Sequence, residues 1–76
     1  MKDLIKNIVQ TMVDKPEEVE ISEIQGDQLT VLKLRVAKED IGKVIGKKGR
    51  NVRAIRTILG AASAKEKKHT VLEILE

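Results

Sequence analysis

The sequence has 76 residues, enough for one small domain around one core. Its 15 basic and 12 acidic side chains leave a net charge of +3. The absence of cysteine excludes a disulfide framework and a cysteine-based zinc site, and the absence of Phe, Tyr and Trp excludes base stacking on aromatic platforms.

No apolar run approaches the roughly 20 residues that span a bilayer. Residues 1–7 mix charges with Leu4 and Ile5 and lack a signal-peptide core. A soluble cytoplasmic protein is expected, with residues 1–76 as a single domain and no membrane partner.

Leu4, Ile5, Ile8, Val9 and Met12 recur at helical spacing and predict an amphipathic helix over Lys2–Val13, stopped by Asp14-Lys15-Pro16. Glu17–Gln25 alternates as a strand, with Val19 and Ile21 on one face and Glu18, Glu20 and Ser22 on the other. Gly26-Asp27 signals a hairpin turn. Leu29–Ala37 is the second strand, with Leu32, Leu34 and Val36 inward and Val31, Lys33 and Arg35 outward.

Glu39 or Asp40 opens a short helix that runs to Ile45, both acids suiting its positive end. A longer helix follows from Arg50 to about Lys65, with Val52, Ile55, Leu59 and Ala62 inward and Gly60 weakening its last turn. After a polar connection over residues 65–68, His69–Leu75 is a third strand with Leu72 and Ile74 inward. The order α-β-β-α-α-β describes a two-layer α+β sandwich, a three-stranded sheet packed by three helices.

Gly46-Lys47-Lys48-Gly49 lies between the last two helices. Its glycines let another backbone approach and tolerate positive φ, its lysines carry charge, and the next helix starts with unpaired N–H groups near Gly49 and Arg50. These properties suit a phosphodiester. Charge placement agrees: residues 38–56 hold seven basic side chains against Glu39 and Asp40, a net +5, while the remainder is −2.

The run Ile41-Gly42-x-Val44-Ile45-Gly46-x-x-Gly49-x-x-Val52-x-x-Ile55 resembles the KH-domain signature, departing only in Val52 where the family usually has Ile. The element order is similar to the type II arrangement, and residues 39–46 with Arg53-Ala54-Ile55-Arg56 resemble the small stand-alone bacterial KH proteins of the KhpA type. The resemblance covers nearly the whole chain. It implies a type II KH fold that clamps about four nucleotides of single-stranded RNA. Carried onto this sequence, the RNA-binding residues are Gly42, Lys43, Ile45, Gly46, Lys47, Lys48, Gly49, Arg50 and Arg53. The resemblance further implies a homodimer, or a heterodimer with a larger KH-containing protein of the KhpB type, and RNA-chaperone or post-transcriptional activity linked to cell-wall and cell-shape homeostasis.

Without aromatic residues the groove floor is aliphatic (Ile41, Ile45, Val52 and Val36), so weak, sequence-tolerant and salt-dependent binding is expected, with bases bonding to backbone groups at a strand edge. Competing explanations stand beside several of these assignments. Ile45, Val52 and Ile55 suit a core as well as a groove, and Gly42 either thins the groove wall or lets helices pack. Arg56 is a surface, dimer or RNA residue. A protein-interaction module gripping an acidic partner, favoured if Val31, Val71 and Leu75 are exposed, and a single-stranded DNA binder are the alternative functions. A P-loop fails on spacing, and so does the dinucleotide fingerprint. His69 has no ligand partners in sequence, and Glu17, Glu18, Glu20 and Glu23 form a solvated strand face. No nucleophile–base pair is present, so catalysis, cofactor and metal are not expected.

Overall fold

A computed structural model describes residues 2–65 and 67–75. The elements are α1 (Lys2–Gln10), β1 (Glu20–Gln25), β2 (Leu29–Arg35), α2 (Ile41–Ile45), α3 (Arg50–Lys65) and β3 (His69–Leu75), with single 3₁₀ turns at Pro16–Glu18, Lys38–Asp40 and Lys47–Gly49. β2 is the central strand, antiparallel to β1 and parallel to β3, so the sheet is mixed. The parallel pair needs a long crossover, which α2 and α3 provide.

The inward side of the sheet carries Ile21, Leu32, Leu34 and Leu72. Against it pack Ile5 and Val9 of α1, Val44 of α2, and Val52, Ile55 and Leu59 of α3. These contacts follow the two periodicities of the sequence, alternate residues in strands and one face per turn in helices. Gly60 leaves α3 unbroken through Lys65.

The structure corrects some boundaries. α1 ends at Gln10 rather than Val13, because Thr11 and Met12 turn back tightly: their N–H groups donate to Ile8 O and Val9 O, and the Thr11 hydroxyl also donates to Ile8 O at 2.6 Å. β1 begins at Glu20 rather than Glu17. Pro16 opens a 3₁₀ turn in which the Glu18 and Val19 N–H groups donate to Lys15 O and Pro16 O. β2 ends at Arg35, where its partner β1 runs out, although Val36 and Ala37 stay buried beyond it. At the end of α3, Ser63 is buried rather than Ala62, and its hydroxyl donates to Thr70 Oγ1 at 2.5 Å. The connection expected over residues 65–68 includes Glu66, which lies outside the described residues.

Candidate nucleic-acid interface

α2 stops because Gly46 leaves helical space at φ 77°, ψ 168°, while its N–H still donates to Gly42 O at 2.8 Å. The chain then makes one tight turn. Lys48 sits in the left-handed region at φ 58°, ψ 25°, and Gly49 follows at φ 73°. α3 starts directly at Arg50. Lys47, Lys48 and Arg50 are exposed on this turn.

The donors expected to face an anion are not those of Gly49 and Arg50. The Gly49 N–H donates to Gly46 O at 3.0 Å and the Arg50 N–H to Lys47 O, so both are used inside the turn. The N–H groups of Lys47 and Lys48 have no partner among the described residues. The unoccupied donors therefore sit on the lysines themselves, where backbone dipole and side-chain charge act together.

The turn is braced from α3. Asn51 Nδ2 donates to Lys43 O at 2.8 Å, and Arg53 Nη2 donates to Lys48 O. Gly46 has to be glycine for space as well as conformation: a Cβ there would lie 2.6 Å from Asn51 Cγ. Arg53 thus folds back onto the turn rather than continuing a row of charge with Arg50. Lys43 is also engaged, its ammonium group bonded to the Asp14 carboxylate. That bond holds the lysine pKa above its usual value. Gly42 faces open space, with nothing within 4 Å of the position a Cβ would take, so it does not serve helix packing.

Beside the turn runs an aliphatic depression of about 410 Å³, in which Ile41, Ile45, Val52 and Arg56 face Leu72, Glu73 and Ile74 of β3. Ile41 continues into a second depression, about 680 Å³, with Arg35, Val36 and Lys38. The four aliphatic residues expected as a floor thus line two adjoining hollows. Ile45 is 37% exposed while Val52 is 8% exposed, so the first offers contact surface and the second is mainly core. The β3 residues and Arg56 complete the wall, and β3 has no strand neighbour on its outer edge among the described residues.

Asp40 has a role that its place before a helix concealed. Its carboxylate is 1% exposed and accepts the backbone N–H groups of Asp14 at 3.2 Å and Lys15 at 3.0 Å. Next to it, Lys15 and Glu39 pair at 2.5 Å. The shared hydrogen bond raises the lysine pKa and lowers that of Glu39. The segment after α1 is thereby fixed to the start of α2. Among the described residues, no group of His, Asp and Glu side chains is placed to hold a metal ion, and no helix is long and apolar enough to cross a membrane.

An α-β-β-α-α-β order, a mixed sheet with β2 at its centre and a Gly-x-x-Gly turn between the paired helices together define a type II KH fold. Known proteins agree with that assignment. The sequence model of the KH domain of KhpA/KhpB matches residues 2–74. The RNA-binding protein KhpA of Clostridium acetobutylicum is 52% identical over 75 residues, covering 99% of this chain and 100% of that protein. Its namesake in Caldanaerobacter subterraneus is 51% identical over the same length, with the same coverage. The KhpA of Borreliella burgdorferi is 50% identical over 74 residues, covering 97% of this chain and 90% of that one. No solved structure matches the chain. The chain belongs to the KhpA/KhpB family of KH-domain proteins.

Proposed function

We propose that this chain is a non-catalytic RNA-binding protein that grips the sugar-phosphate backbone of a single strand at Gly46–Gly49. One observation carries the reading: the turn exposes two lysines and two unpaired backbone donors directly after Ile45, which lines an aliphatic hollow. Phosphates sit on Lys47 and Lys48, Arg50 extends the charge, and bases lie against Ile45 and Ile41 with the β3 edge beyond. Gly42 leaves room for the strand. Lys43 and Arg53 act through the turn they border. The relatives named as RNA-binding proteins support RNA as the ligand.

A single site of about four nucleotides binds loosely, and two linked sites multiply affinity through effective concentration. We therefore read the chain as working in the cytoplasm as a homodimer or with a larger KhpB-type partner. Its proposed role is RNA chaperoning or post-transcriptional regulation connected to the cell wall and cell shape. Titrating labelled single-stranded RNA over a range of salt tests the binding. A log–log slope of about −0.7 per phosphate engaged is expected, and a flat salt response contradicts the clamp. A DNA strand of the same sequence is the comparison that assigns the sugar.

A second reading, assembly with another protein, is favoured by one feature. Ile24, Val31 and Val71 lie in register across the outer side of the sheet, with Leu29 beside them. Ile24, Leu29 and Val71 are 53%, 45% and 41% exposed, and Val31 and Leu75 are half-buried. Such a row provides a contact surface for a second chain without obstructing the turn.

A further inference from the structure

Asn51 performs a task at the turn that neither its charge nor its exposure advertises. The last carbonyls of any helix lack the N–H groups of a following turn. In α2 the Gly42 carbonyl is satisfied by the Gly46 N–H. The next carbonyl, that of Lys43, would ordinarily take the N–H of Lys47, but Gly46 swings the chain away at φ 77°, ψ 168°. Asn51 Nδ2 takes that place at 2.8 Å. Two residues on, Arg53 Nη2 performs the same service for Lys48 O, whose own residue is held at φ 58°.

We propose that Asn51 is a positioning residue for backbone binding: by capping the Lys43 carbonyl from α3, it frees the Lys47 N–H for a phosphate oxygen and holds the turn in its clamping shape before the ligand arrives. The proposal rests on the RNA-clamp reading above. It assigns Asn51 no contact with the ligand. The side chain also fills the space that a Cβ at Gly46 would occupy, so residues 46 and 51 form a matched pair, the glycine making room for the amide. With the amide removed, the Lys43 carbonyl either takes water or recovers the Lys47 N–H by extending α2. Either outcome means that the turn must be rebuilt on binding, and preorganisation is lost.

The test uses Asn51→Ala and the neutral, similarly sized Asn51→Leu, both of which remove the donor without adding charge, alongside Lys47→Asp/Lys48→Asp as reference. Asn51 is exposed, so both variants are expected to fold, and the amide spectrum of each free protein verifies this. Affinity for a labelled oligouridylate should fall roughly three- to ten-fold in both, the effect of one hydrogen bond, while the salt slope stays at the native value. In the free variants, the amide signals of residues 46–49 should move while those of the sheet remain. Native affinity in both Asn51 variants, with binding lost in the double lysine variant, overturns the positioning role and leaves the clamp standing. A slope shallower by about 0.7 in Asn51→Ala means that a phosphate contact has been lost, which also overturns it. Undiminished binding by the double lysine variant removes the clamp itself.

Discussion

The Asp40 carboxylate accepts the Lys15 backbone N–H at 3.0 Å across 25 residues of sequence. With the parallel bond from Asp14 it ties the chain leaving α1 to the residue that immediately precedes α2. Asp40→Ala strips two part-buried donors of their acceptor. A buried donor left unpaired costs about 1–3 kcal/mol, so a loss of about 2 kcal/mol and a fall in Tm of roughly 8–16 °C are expected for a domain of this size. Thermal unfolding by circular dichroism measures it. A shift of under 2 °C contradicts a structural role for this carboxylate.

Gly42 and Gly60 separate stability from binding. Neither has a neighbour within 4 Å of the position a Cβ would take, and both lie inside helices. Replacing each with alanine should stabilise the fold by about 0.5–1 kcal/mol. Only Gly42→Ala, beside the turn, should also weaken RNA binding. Equal affinities for the two variants would show that the strand does not pass over Gly42.

The Lys15–Glu39 pair predicts a specific pH response. The pKa of Glu39 is lowered by its hydrogen bond from Lys15, so its contribution is present above the ordinary carboxylate value of 4.5 and is lost as pH falls through the lowered one. The stability difference between the native chain and Glu39→Gln should therefore be constant near neutrality and vanish in acid. Both groups are solvated, so the difference is small and shrinks with salt. A difference independent of pH contradicts the pairing.

The outer row of the sheet bears on assembly. Ile24→Glu combined with Val71→Glu places two charges on an exposed surface that contributes little to folding. If copies of the chain meet there, light scattering should show the mass falling toward that of one chain while affinity per RNA site stays constant. An unchanged mass places association elsewhere.

Much of the architecture was legible in the sequence because aliphatic periodicity determines it. The alternation of Leu32, Leu34 and Val36 and the spacing of Val52, Ile55 and Leu59 predicted the burial that the structure has. The Gly46–Gly49 turn was legible because glycines between two helical segments supply the positive φ that a tight turn there needs. What escaped was set by distant partners. Asp40 reads locally as a helix-start acid, yet it bonds residues 14 and 15. Lys43 reads as free charge, yet Asp14 neutralises it. Asn51 carries no charge and belongs to no motif; only the close pairing of α2 with α3 shows its bond to the Lys43 carbonyl. Pattern reports which face is buried, and it does not report which polar groups close a gap between elements.

Whether the Gly46–Gly49 turn holds the phosphate backbone is decided by titrating single-stranded RNA with the native chain and with Lys47→Asp/Lys48→Asp, whose substituted side chains are exposed on the turn. The double variant should keep the native circular dichroism spectrum and lose RNA affinity at least roughly ten-fold at low salt, through repulsion of phosphate and loss of its counter-charge. A folded double variant that binds RNA as tightly as the native chain would contradict the assignment.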